Sequence, residues 1–250
     1  MSKKNHDEEG FMPIPEKPVE TAVATVESHL PANMSDCRGF EEPVDQSDLI
    51  IPRAKLLQPT ADELTQEGNL LRSGMVINSL TKTELSKVFT PIFYYKEYMR
   101  FNGRKKEDKN FNPEFAPGVL MWRTRDANDS RVLEQCSFGP NGEAPIAITS
   151  LNFLCLFEGE SMPTILSFTK SSYRAGKNLL SLAKLRGGAM FSRKYRLGVV
   201  TMKGDEGNYY VLKVDPAGDC DPETFKTAEG YFTAFAPKRD SIVAHVEDIA

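Results

Sequence analysis

Apolar and polar positions alternate with period two through much of the chain after residue 73, and that alternation predicts strands. The candidate segments are Gly74 to Leu80, Val88 to Phe101, Gly118 to Arg125, Ile146 to Phe157 and Thr164 to Phe168. Pro91 cannot donate to a ladder, so it marks a bulge or an edge in the second. The last two segments read as a hairpin around EGESMP. The short segment bracketed by Pro52 and Pro59 reads as irregular or as a single helical turn.

After Phe168 the period changes from two to the helical spacing. Ser171 or Ser172 can cap a helix running to about Arg186, with Ala175, Leu179, Leu182 and Leu185 as its apolar side and Gly187-Gly188 as its stop. Alternation returns from Met190 to Met202, turns at GDEGN and comes back through Tyr209 to Asp215. A final helix is predicted from Pro222 to Phe235, capped by Asp221, with Phe225, Ala228, Phe232 and Phe235 as a core-facing stripe. The expectation is a mainly β chain with helices (α+β): an OB-like antiparallel barrel with a helix between strands and a C-terminal helix. Barrels of that type hold single strands on one face.

Charge changes this picture by dividing the chain. Residues 1–50 hold four basic and eleven acidic residues, a net of −7, and the remaining 200 carry +3. The leader is also rich in proline and poor in aromatic residues, a composition that cannot bury enough apolar surface to offset its ordering entropy. Residues 1–48 are therefore read as a disordered acidic leader, 49–237 as the binding domain and 238–250 as a flexible tail. Within the domain, Ser161 to Gly204 contains nine Lys or Arg residues and no Asp or Glu. An ordinary solvated helix mixes signs, because Glu and Lys four residues apart stabilise it; here no counter-charge is supplied.

Enzymatic chemistry is short of residues, and the chain is read as no enzyme. The three histidines, His6, His29 and His245, all lie near the ends, which leaves none in the domain for acid–base or nucleophilic catalysis. Neither Gly103-Arg104-Lys105-Lys106 nor Gly187-Gly188 has phosphate-loop spacing. Lys213 lacks the acidic residue two positions earlier that a carboxylate–lysine nuclease requires, since Val211 stands there. Cys37, Cys136, Cys155 and Cys220 show no C-x-x-C pairing, so no metal, cofactor or disulfide framework is expected. The N-terminus lacks the apolar core of a secretory signal, and no run reaches membrane-spanning length, so a cytoplasmic protein is expected.

The residues that suit nucleic acid are cations interleaved with rings. On the predicted helix, Arg174, Lys177 and Lys184 fall on one face, opposite much of the leucine stripe, with Lys170, Tyr173 and Arg186 at its ends. On the following strand Arg193, Lys194, Tyr195 and Arg196 are consecutive, and both faces of that strand cannot be core. In the long strand, Tyr94, Lys96, Tyr98 and Arg100 share one face by parity. Trp122, flanked by Arg123 and Arg125, is either a stacking platform or core.

The stretches IPRAKLLQP (51–59), GMVINSLT (74–81), FTPIFYYKEY (89–98), SFTKSSYRAGKNLL (167–180) and YYVLKVDPAG (209–218) resemble phage-encoded single-stranded DNA-binding proteins of OB type. That resemblance implies coating of single-stranded DNA during phage replication or recombination in the host cytoplasm, as a homo-oligomer on DNA, with no base-specific readout. It also implies recruitment of replication or recombination proteins through acidic termini. In this chain the acidic terminus is the N-terminal one, and VEDIA is only a weak C-terminal counterpart. An annealing recombinase, and a phage structural or protein-interaction factor whose basic face docks an acidic partner, are the alternatives.

Overall fold

A computed structural model of the protein describes residues 50–65, 70–108, 110–204 and 207–237; the acidic leader and the C-terminal tail read from the sequence lie outside the described residues. Eight strands form one mixed sheet: β1 (Arg53–Leu56), β2 (Val76–Asn78), β3 (Val88–Phe101), β4 (Leu120–Thr124), β5 (Ile148–Phe157), β6 (Thr164–Phe168), β7 (Arg193–Gly204) and β8 (Gly207–Asp219). Their order is β2-β1-β6-β5-β3-β7-β8, with β4 paired to β3 off this path. Three helices accompany them: α1 (Ser130–Gln135), α2 (Tyr173–Arg186) and α3 (Pro222–Phe235).

The long strand β3 organises the sheet, pairing with β5, with β7 and with β4. Its register on β5 shifts between Pro91 and Phe93, where a proline without an N–H is best accommodated in a ladder. Parity then separates two cores on opposite faces. Leu151, Phe153, Cys155 and Phe157 of β5 enter one, together with Phe89, Phe168, Tyr195, Leu197, Leu212 and the underside of α2. Leu154 and Leu156 enter the other, together with Ile92, Phe93, Tyr95, Phe191 and the inner side of α3.

The mainly β, α+β architecture matches the expectation, and the sheet is a curled, open half-barrel rather than a closed five-stranded one. Residues 53–56 are the reason. Read from sequence as irregular or a single helical turn, they form β1, which lies parallel to β6 and antiparallel to β2 and so occupies the edge that β6 would otherwise offer for closure. The segment after β1 and strand β8 are joined by a side chain instead. Gln58, just beyond β1, donates through Nε2 to the Tyr210 carbonyl at 2.9 Å, and its Oε1 accepts from the Tyr210 N–H at 2.9 Å. A primary amide thus substitutes for a strand partner at the seam.

Helix α2 is turned from the orientation its leucines suggest. Ala175, Gly176, Leu179 and Ala183 are buried, whereas Leu185 is 85 % exposed. The buried arc is displaced by about a fifth of a turn from the predicted stripe. Small residues decide this: a Cβ on Gly176 would lie 2.7 Å from Cβ of Phe168, so the helix seats its smallest side against the sheet. Helix α3 starts at its predicted cap, where the Asp221 carboxylate accepts from the Thr224 N–H at 2.8 Å. Its buried face runs through Ala228, Gly230, Tyr231 and Phe235, leaving Phe232 41 % exposed.

Candidate nucleic-acid interface

Once the small side of α2 is buried, its opposite side must face solvent. Arg174, Lys177, Lys184 and Arg186 are all exposed, and among the described residues none of them takes part in an ion pair. Tyr173 is half-buried and leans against the first core. The basic face predicted from helical periodicity is therefore present, with the exposed Leu185 in its midst.

Beside this face, at the seam of the curled sheet, lies an open groove of about 970 Å³. Three regions far apart in sequence build it: β1 with the segment after it (Arg53 to Asp62), the end of β6 with the turn into α2 (Ser167 to Ser172), and the β7–β8 hairpin tip with Tyr209 and Tyr210. Arg104, from the connection after β3, closes one side. Among the described residues lining the groove, Asp62 is the one carboxylate, against Arg53, Lys55, Arg104 and Lys170. Two of those cations have defined partners: Arg53 donates to the Ser167 hydroxyl at 2.6 Å, and Lys55 pairs with Glu63 at 2.8 Å.

Lys170 links the groove to the basic helix. It opens the short 3-10 turn that leads into α2 and holds a left-handed backbone with φ of 46°. Its ammonium is pushed below its ordinary pKa, first by desolvation and then by the neighbouring charge of Arg104. Groups of like sign thus share a polar groove with two half-buried tyrosines, which is the combination that suits phosphates and bases together.

The structure separates the remaining sequence-predicted residues into exposed, paired and buried groups. Arg196 is exposed on β7. Arg193 is paired with Asp219, and Lys194 bridges Asp221 at 2.8 Å and Glu158 at 3.4 Å. The Lys194 hydrogen bond first, and then the hydrogen bonds from Thr224, hold the Asp221 carboxyl well below the usual carboxylate range. Tyr195 is not a surface residue. It is 2 % exposed with its ring 6.0 Å from Phe89, because the inward parity of β7 also carries Leu197 into the first core. Burial pushes its phenol pKa up.

On β3 the predicted face divides. Tyr94 and Lys96 are exposed, and Tyr94 rests on Phe153 at 5.9 Å between ring centroids. Tyr98 is buried at 8 % exposure, with Lys96 over its ring at 6.0 Å; the β4 and β5 strands flanking this end of β3 cover it. Arg100 is half-buried and donates to Gln135 of α1 at 3.1 Å, a helix that the sequence reading does not contain. Trp122 is half-buried under the Arg131 guanidinium, 5.2 Å from its ring centroid.

Arg123 and Arg125 point to the opposite side of β4 from Trp122 and converge on Glu97. Their Nε atoms lie 3.2 Å from Glu97 Oε1, and the other carboxylate oxygen accepts from Asn152 at 3.0 Å. With Glu97 at 1 % exposure, these arginines serve a buried charge on the sheet face shared with Tyr95, whose ring Arg125 covers at 4.2 Å. Lys213 and Asp215 form a surface pair at 3.0 Å.

The groove contributes Tyr209, Tyr210 and Gln58, which the sequence reading did not single out as ligand residues, and Arg104 from the basic stretch around 96–106. The one advance signal was the Gly-basic run at 103–106; the tyrosines carried only the pattern of an ordinary hairpin strand.

A family model described as Pam3 phage gp34-like protein matches residues 19–239. The chain belongs to that family. The matched span takes in every described strand and helix of this phage family member, as well as the groove and the basic face of α2. No curated protein and no solved structure matches the chain. Among the described residues, no helix is long and apolar enough to cross a membrane.

Proposed function

We propose that this member of the Pam3 phage gp34-like family binds single-stranded DNA without sequence readout and without catalysis, protecting it during phage replication or recombination. The observation that carries this reading is the groove at the sheet seam, which Lys170 and Arg104 line together with Tyr209 and Tyr210 and from which α2 extends the positive surface outward. Phosphates need cations, unpaired bases need ring faces to stack on, and a duplex would offer no exposed bases to those rings.

We read β3, β5, β6, β7 and β8 as the five strands of an OB-type barrel whose closing seam is taken by β1. Helix α2 lies between the third and fourth of them. Barrels of this type bind oligonucleotides on the face of the second and third strands and between the loops joining strands one to two and four to five. The corresponding parts supply this groove: Arg104 from the connection after β3, Gly204, Gly207 and Asn208 from the β7–β8 turn, and Ser167 from β6.

Stacking contributes about 1–3 kcal/mol per base, and each phosphate neutralised adds about −0.7 to the slope of log affinity against log salt for single strands. Six cations, namely Lys170, Arg174, Lys177, Lys184, Arg186 and Arg104, would then give a slope of roughly −4. The test is fluorescence anisotropy of labelled oligo-dT and a matched duplex at two salt concentrations. A steep salt slope and a preference for the single strand are expected; equal affinity for duplex and single strand would refute the reading.

A further inference from the structure

Within the groove, two unfavourable features coincide at one place. Lys170 is a lysine in the left-handed region, at φ of 46°, where a side chain is strained and glycine is not. Arg104, a second cation, lines the same groove, and its charge disfavours the charged lysine. The only carboxylate among the described lining residues is Asp62, and neither Lys170 nor Arg104 has an ion pair among them. Backbone strain and like-charge crowding persist when the surrounding structure over-determines them, and they collect at binding sites.

We propose that Lys170 and Arg104 form a discrete anion site for one phosphate group, a phosphodiester of a bound strand or inorganic phosphate on its own. A tetrahedral dianion or a phosphodiester oxygen between them would exchange repulsion for two charge-assisted contacts. The adjoining wall offers the hydroxyls of Thr169 and Ser171. The Ser172 hydroxyl is already engaged, accepting from the Leu212 N–H at 3.0 Å, so the turn that presents Lys170 is pinned to β8 before any ligand arrives. The proposal rests on the single-strand reading for its physiological ligand and on this geometry alone for the anion.

The test compares the full chain with Lys170→Gly and Arg104→Ala. Lys170→Gly removes the cation while relieving the backbone, so its unfolding midpoint in chloride should equal or exceed that of the natural chain, which keeps a loss of binding from being mistaken for misfolding. Inorganic phosphate should raise the midpoint of the natural chain more than chloride at matched ionic strength, and both variants should lose that excess. An equal phosphate effect in all three proteins is a generic salt effect and overturns the site.

Oligo-dT titrations in parallel should show the salt slope falling by about 0.7 in each variant. Oligo-dT binding with an unchanged slope in both variants overturns the anion site and leaves the single-strand reading standing. Phosphate binding that depends on both residues, in a chain that ignores oligo-dT, upholds the anion site and removes the single-strand reading.

Discussion

At the scale of single residues, the positions that decide stability are charged groups whose partners lie far away in sequence. Glu97 is buried among Arg123, Arg125 and Asn152, and removing its charge takes away the buried carboxylate on which two partly enclosed guanidinium groups converge. Glu97→Gln should therefore destabilise the fold by about 3 kcal/mol, read from urea unfolding; a change near zero would mean that solvent already compensates both arginines. Asp221 is smaller in effect and depends on pH. It caps α3 and pairs with Lys194, so Asp221→Ala should cost about 1 kcal/mol at neutral pH, whereas Asp221→Asn, which keeps a capping oxygen, should cost less. Because the folded carboxyl sits below its ordinary value of 3.8, its contribution is complete above that pH and fades as pH falls below it. The gap in urea midpoint between the natural chain and Asp221→Ala should accordingly narrow at pH 3.

At the scale of elements, α2 shows how close approach governs orientation more than hydrophobicity does. Gly176 is a poor helix former, and replacing it by Ala in an open helix would gain up to about 1 kcal/mol. Here the added methyl would meet Phe168 Cβ at 2.7 Å, an atom held by the β6 backbone, so Gly176→Ala should instead destabilise by about 1–3 kcal/mol. Denaturant unfolding gives the sign directly, and a stabilised variant would show that α2 can lift off without loss. The same comparison explains what was legible in the sequence. Strands β3, β5, β6 and β7 were readable because their alternation is sustained and their inner residues are large. The cap and start of α3 were readable because Asp221-Pro222 is a local signal. Strand β1 was not, since four residues between prolines become a strand only through pairing with β6 and β2. The rotation of α2 was hidden for a related reason: its buried face is marked by Ala175, Gly176 and Ala183, and small residues register only when the opposing surface is known.

At the scale of the whole molecule, the site was legible where it is local and hidden where it is assembled. The cationic face of α2 comes from one stretch of sequence, but the groove gathers Gln58, Arg104, Lys170 and Tyr210 from four regions, and Tyr195 looked like its neighbours until β7 was seen to turn it inward. Charge at this scale makes one more prediction. The first 50 residues carry −7 and the remaining 200 carry +3, so within a single chain the strongest acidic segment is tethered to a domain bearing a basic helix face and a cation-lined groove. A tethered polyanion competes with DNA at a high effective concentration, and its competition is electrostatic, so it should weaken as salt screens both ligands. Removing residues 1–48 should therefore tighten oligo-dT binding at low salt, with the gain shrinking as ionic strength rises toward about 1 M, where the screening length is only about 3 Å. The salt slope of the truncated chain should also be steeper, because DNA would no longer displace an internal competitor that is itself sensitive to salt. Anisotropy titrations of both chains across a salt series measure the two effects together, and identical affinities and slopes would show that the leader's charge acts elsewhere.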